Sequence, residues 1–181
     1  MTELVFAPVG DEESAAAWRQ VHNEIIPGAP LSLEQVVERS RVYALDLALL
    51  DGVVVGCSTV RPATDEEPVT VIVRILPPYR RRGWGTAFLA HAVRRAQELG
   101  AVSIQTIVLA SNTDGWDFAL RHGFVETERY TLEGDTVPYV HLAAQLADVV
   151  LAWPGVGPRA LPRVPTPSGS PSSCRASGSG R

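Results

Sequence analysis

Arg80-Arg81-Arg82-Gly83-Trp84-Gly85-Thr86 is the stretch of this chain whose residue types point most directly to chemistry, and the chemistry is the holding of an anion. Three guanidiniums stand beside two glycines. Glycine lets a backbone turn with positive φ and bring its amides up to a ligand that a Cβ would keep away. Before the turn lies an apolar run, Val69 to Leu76. After it, Thr86 to Leu99 repeats apolar residues at Leu89, Ala92, Val93, Ala96 and Leu99, the spacing of one buried helix face. A strand, a basic turn and a helix in that order set the free N–H groups and the positive dipole end of the helix beside the arginines, which favours phosphate. Other phosphate motifs fail. A Walker loop needs a lysine and the chain has none; a dinucleotide fingerprint needs a small residue where Phe88 stands.

Groups able to move a proton are scattered. His22 and Glu24 fall near the end of the first long helix, Glu66 and Glu67 in an acidic loop before the apolar run, and His141 in Pro138-Tyr-Val-His141. Each has an ordinary alternative, as a solvated helix face, a charged loop or a hydrogen-bonded structural histidine. His91 and His122 show no metal-ligand spacing and H-E-x-x-H is absent, so no metal is expected. Gly56-Cys-Ser-Thr-Val60 lacks the second glycine of a nucleophile elbow.

The elements that must position these groups follow from periodicity and turn signals. Glu3 to Pro8 reads as a strand, Asp11 to Ile26 as a helix with acids in its first turn, and a short helix follows Ser32, where Ser32-x-x-Gln35 resembles a capping box. Val42 to Leu50 and Val53 to Val60 flank the hairpin signal Asp51-Gly52, and Val69 to Leu76 returns after the acidic loop. Beyond the long helix come a strand from Val102 to Leu109, a helix from Asp114 to His122, and a closing strand pair, Phe124 to Leu132 and Val137 to Leu142.

The order Arg80-x-x-Gly83-x-Gly85, preceded by a strand and Pro77-x-Tyr79, resembles the acetyl-coenzyme A pyrophosphate loop of the GCN5-related N-acetyltransferase (GNAT) family. The element order β-α-α-β-β-β-α-β-α-β-β, over Thr2 to Ala143, is also similar to that family's. The resemblance implies an α/β fold with a central mixed, mostly antiparallel sheet flanked by helices. It implies acetyl-coenzyme A as co-substrate, whose acetyl group is attacked directly by an amine of a small molecule or peptide. Matched residue by residue, thioester and pantetheine contacts fall on Val73, Arg74 and Ile75. Pyrophosphate contacts fall on Arg81, Arg82, Gly83, Trp84, Gly85 and Thr86, and Asn112 matches the family asparagine that opens the next helix, where it could equally be only a cap.

Two departures affect the chemistry. Many members carry a tyrosine, four residues before the Gly-Phe pair after the last helix, that protonates the departing thiolate; relative to Gly123-Phe124 that position is Ala119. A glutamate common five residues before the asparagine is replaced by Ile107. A base from elsewhere, water relays, or a coenzyme A-binding regulatory module without transfer activity are the three readings left. Glu24, His22, His141 and Glu67 are the candidate bases.

Composition bounds the rest. With 181 residues and 45% hydrophobic content, one domain with a real core is expected. Cys57 and Cys174 form no disulfide framework, no long apolar stretch or signal peptide is visible, and a cytoplasmic protein without membrane attachment is expected. Four of the sixteen arginines lie after residue 153, leaving twelve against twenty acids, a net −8. Such a body argues against nucleic-acid binding and modestly for a cationic or amine substrate. Acetyl-coenzyme A and an amine acceptor are thus the expected partners, the chain acting as a monomer or homodimer. From Pro154 on, 17 of 28 residues are proline, glycine or serine, a composition that cannot bury enough surface to offset its ordering entropy. The expected division is an acetyltransferase domain over 1–146 and a disordered tail over 147–181.

Overall fold

The structure, a computed structural model, describes residues 3–151. The element order is β1 (Leu4–Pro8), α1 (Glu12–Ile25), α2 (Leu33–Val42), β2 (Ala44–Leu50), β3 (Val53–Arg61), β4 (Val69–Ile75), α3 (Trp84–Glu98), β5 (Ser103–Leu109), α4 (Thr113–Arg121), β6 (Val125–Tyr130) and β7 (Tyr139–Gln145). This is the α/β arrangement expected from the sequence. The tail from Pro154 lies outside the described residues; the chain from 147 to 150 stays on the domain, Val149 against the core and Val150 N–H donating to the His122 carbonyl at 3.1 Å.

Seven strands form one sheet in the order β1-β2-β3-β4-β5-β7-β6, antiparallel at every junction except β4–β5. That exception makes the site. β4 pairs with β3 from Gly56↔Ile75 to Arg61↔Thr70, and β5 pairs with β7 along its whole length. The parallel contact between them covers only Val69↔Ile104 and Thr70↔Gln105. Each strand keeps its antiparallel partner, so the sheet opens beyond Thr70 and leaves the β4 edge from Val71 to Ile75 without a strand neighbour.

Alternation along β4 sends Val69, Val71 and Val73 to one face and Thr70, Ile72 and Arg74 to the other. On the first face lies α3, burying Leu89, Ala92, Val93 and Ala96 against Val60, Val71, Ile104 and Leu142. Leu99 departs from the expected stripe: the helix ends at Glu98 and Leu99 is 51% exposed. The opposite face of β2 and β3 is covered by α1 and α2, whose starts are fixed by capping boxes at Asp11/Ser14 and Ser32/Gln35. Trp18, almost wholly buried, donates from Nε1 to the Ser58 carbonyl at 2.8 Å and ties α1 to β3.

One polar network holds α3 to the sheet. Asp46 is fully buried and accepts from His91 Nε2 (3.2 Å) and Arg95 Nη2 (2.9 Å). Burial, the largest single influence, pushes its carboxyl up, but the hydrogen bonds from His91 and Arg95 and the Arg95 charge outweigh it and hold the group below its ordinary 3.8. A depressed folded-state pKa contributes stability above the unfolded value that is lost as pH falls through the folded one. Asp46→Asn should therefore cost about 2–3 kcal/mol at neutral pH, below the figure for a wholly buried pair because Arg95 keeps a third of its side chain in solvent. Denaturant melts should show that the cost shrinks below pH 4. A cost that stays constant with pH would show that the ion pair contributes nothing.

Candidate active site

At the opened end of β4 the sheet, α3 and α4 enclose a cavity of about 570 Å³. Its walls include Val73, Arg74 and Ile75 of β4, Arg81, Gly83, Gly85 and Thr86 of the turn and α3, and Asn112 before α4. Eight of the ten residues matched to coenzyme contacts thus line one space. Arg82 is exposed and Trp84 sits against the core beside Phe88, and neither lines it.

The turn is built for close approach. Gly83 caps α3 with φ +86° and ψ −10°, a left-handed conformation that L side chains rarely adopt, and offers no side-chain cap. Ala87 makes the first intrahelical bond, to the Gly83 carbonyl at 3.1 Å, so the amides of Trp84, Gly85 and Thr86 have no intrahelical acceptor. Gly85 has a different reason from the one its sequence suggested. It lies inside the first helical turn, and a Cβ there would come within 3.2 Å of the Phe118 ring of α4. Arg81 carries the second unusual backbone, φ +62°. Arg80 Nε donates to the Ile75 carbonyl at 2.8 Å, pinning the turn to the end of β4.

Arg81 is already engaged, its Nη2 2.6 Å from Asp114 Oδ1 across the cavity mouth. Both side chains are more than half exposed, so the pair is weak. A phosphate on the turn competes with Asp114 for this guanidinium. Asp114→Ala should raise coenzyme A affinity by about two- to fivefold at low salt, with the gain fading as salt screens it. Calorimetry that finds the affinity unchanged would place Arg81 away from the phosphates.

Sequence reading missed Phe118, Asp114, Arg121 and His122 as wall residues, because α4 reaches them only through tertiary packing. His122 Nδ1 donates to the Phe118 carbonyl at 2.7 Å, leaving Nε2 to accept from the Thr86 hydroxyl at 3.0 Å. Burial lowers its pKa, so the imidazole stays neutral and braces α4 against the start of α3. Asn112 both lines the cavity and caps α4, its Oδ1 accepting from Gly115 N–H at 3.0 Å.

The family model for the acetyltransferase (GNAT) family matches residues 12–124. The chain belongs to that family. No curated protein matches it. Among solved structures it is similar to a protein assigned as a phosphinothricin N-acetyltransferase, with TM-score 0.67 and 19% identity over 79% of this chain and 98% of that one. A Salmonella typhimurium protein assigned as an acetyltransferase, solved with acetyl-CoA, gives TM-score 0.65 and 17% identity over 81% of this chain and 94% of that one. Ribosomal-protein-alanine N-acetyltransferase from Brucella melitensis gives TM-score 0.65 and 17% identity, covering 78% and 99%. At these identities the likeness is one of fold.

The two positions at which this GNAT chain departs from the usual acid and base can now be located. Ala119 is 3% exposed inside α4, a core residue. Ile107 on β5 stands directly across from His141 on β7, and cross-strand partners project from the same face. His141 is buried, with Nε2 3.2 Å from the Tyr130 hydroxyl, whose pKa burial and the charges of Glu67 and Glu128 push up. Glu67 is exposed, with Oε2 3.4 Å from Gln105 Nε2, two residues before Ile107 on the same face. Glu24 is exposed, and none of Glu24, Glu67 and His141 is among the residues lining the cavity. His22 is buried on Trp18, with Nε2 donating to the Ala29 carbonyl at 3.2 Å, and burial together with the nearby Arg74 lowers its pKa to about 4. It is neutral at physiological pH and a poor base. Among the described residues no group of three potential metal ligands occurs and no helix is long and apolar enough to cross a membrane.

Proposed function

We propose that the chain moves the acetyl group of acetyl-CoA to an amine of a small molecule or peptide by direct attack of the amine on the thioester, in the cytoplasm. The observation that carries this is the joining, in one cavity, of the unpaired β4 edge and the glycine-capped start of α3. The main-chain groups of Val73 and the Ile75 N–H, which the β3 ladder leaves free, can bond an extended amide-bearing arm as a missing strand would, and the α3 amides with Arg81 can take a pyrophosphate. That combination fits coenzyme A better than it fits a bare anion. Acetyl-CoA supplies the activated acetyl group when bound.

The rest is positioning and proton transfer by this chain. Seating both substrates in one cavity replaces an encounter by a near-unimolecular reaction. Main-chain N–H groups on the open β4 edge would be the donors to the carbonyl oxygen on which charge grows. His141, beside the Ile107 position, is the proposed acceptor of the amine proton at an imidazole nitrogen, and water serves in place of the tyrosine that Ala119 replaces. A thiolate leaves without much help because thiols are far more acidic than alcohols.

Thermal shift with coenzyme A, ATP and sulfate tests the binding half. Coenzyme A should be far the best stabiliser, since only it offers an arm for the β4 edge. Equal shifts with all three would reduce the cavity to an anion site. Thiol release from acetyl-CoA with a panel of amines tests the transfer half, and tight coenzyme binding with no release from any amine would point to a module that binds without transferring.

A further inference from the structure

We propose that the acceptor carries an anionic group, a carboxylate or similar, beside its amine, and that Arg74 with Arg61 and Arg39 forms the site that reads it. The inference deepens the acetyl-transfer reading and rests on it. It starts from Arg74, whose main chain pairs with Cys57 of β3 and whose side chain alternation turns to the face of the sheet covered by α1 and α2. The side chain lines the cavity, and Nη1 is buried with no hydrogen-bond partner among the described residues. Its cross-strand neighbour is Cys57, a fully buried thiol pushed up to about 11 by burial, which supplies no countercharge.

The neighbours make the charge worse. Arg61 and Arg39 act on Arg74 as like charges, and His22 facing it stays neutral. Arg61 Nε and His22 Nδ1 are also buried without partners. None of the three arginines appears in an ion pair among the described residues. Arg61 and Arg39 do not line this cavity but a second hollow between α2 and β3, with Gln35, Glu38, Val42 and Tyr43, the Arg61 guanidinium standing 5.5 Å from the Tyr43 ring centre. Glu38 is the one carboxylate on that wall, and it is exposed. Leaving buried guanidinium nitrogens unpaired is costly, and none of the twenty acids forms an ion pair with these three among the described residues.

A ligand anion supplies the missing charge. The coenzyme phosphates belong at the start of α3, past the end of β4, and the pantetheine arm that lies along β4 is neutral, so the anion must come with the acceptor. This reverses what the acidic composition suggested: net charge describes the surface, whereas Arg74 lines the cavity and Arg61 and Arg39 line the hollow on the α2 side. An acceptor with both an amine and a carboxylate, of the amino-acid kind, meets both demands.

Matched pairs that differ only in charge test the proposal: N-acetyl amino acids against their neutral amides as product probes, and amino acids against amino-acid amides as acceptors. With coenzyme A present, wild-type protein should bind the acids of at least one pair about ten- to hundredfold more tightly than the amides, and Arg74→Met should erase that preference. Arg74→Lys should keep part of it. Without ligand, Arg74→Met should melt no lower than wild type, since it removes a buried unpaired charge; a large fall would mark Arg74 as structural and overturn the proposal. It is overturned equally if acids and amides bind alike, or if Arg74→Met slows transfer to acids and amides by the same factor, the result expected of an arginine that serves the departing thiolate. Coenzyme A affinity is measured separately in both variants, so that the acid-to-amide preference is compared at saturating coenzyme A. Loss of coenzyme binding in wild type would sink the transfer reading, while the acid-to-amide preference of the apo-protein would still decide this one.

Discussion

Gly83→Val should abolish coenzyme A binding at concentrations that saturate the wild type. Gly83 caps α3 at φ +86°, in a region where a β-branched residue is a severe outlier. The variant must either carry strain of about 1–3 kcal/mol or swing the turn to negative φ, and the second course moves the amides of Trp84, Gly85 and Thr86 away from one another. Gly85→Val should fail for a separate reason. Its Cβ meets Phe118 at 3.2 Å, and the two added methyls have nowhere to go but into the space between α3 and α4 that forms the cavity wall. Each variant should lose on the order of hundredfold or more in affinity by calorimetry, equivalent to about 3 kcal/mol. The core of α3 begins at Phe88 and Leu89, beyond the turn, so far-ultraviolet circular dichroism should remain that of the wild type. Retained affinity in both folded variants would remove the turn from the coenzyme site.

The second large effect concerns the amine proton. If His141 takes it, kcat/KM for an alkylamine acceptor should level off well below the pKa of the amine, because the enzyme and not the solvent then removes the proton. In His141→Gln the plateau should disappear, the rate at neutral pH should fall by about a hundredfold or more, and kcat/KM should keep rising towards the amine's own pKa. Glutamine can still reach the Tyr130 hydroxyl, so a folding defect is not expected. Glu67→Gln serves as the comparison, since Glu67 faces the same patch through Gln105 and its charge acts on Tyr130. A pH profile that keeps its plateau in His141→Gln and loses it in Glu67→Gln would transfer the role to the carboxylate. A wild-type profile with no plateau would mean that the amine arrives already deprotonated and that the enzyme contributes position alone.

What the sequence determined by itself is the set of features that depend on near neighbours. Capping pairs three residues apart, the apolar stripe of α3, the Asp51-Gly52 hairpin and the strand-turn-helix carrying Gly83 are all local, so element order and the anion-holding turn were legible without coordinates. Residues matched through that turn landed together for the same reason: a strand entering a helix fixes Val73 to Thr86 within a few turns of backbone. The Leu99 end of the stripe failed because a helix stops where its cap geometry closes, with Leu99 bonding back to Arg95 and Ala96, whatever the periodicity suggests.

Tertiary structure decided everything that joins distant segments. The opening of β4 from β5 after two paired residues follows from competition between strand partners, which no single strand encodes. Gly85 is small because of Phe118, 33 positions further along, and Thr86 meets His122 across 36 residues. The replacement of a glutamate by Ile107 read as a loss until β7 set His141 across from it. Arg74 was ambiguous in sequence because alternation gives a face without saying what lies on it; only the packing of α1 and α2 over β3 sets it near other cations, half-buried and without an ion pair among the described residues.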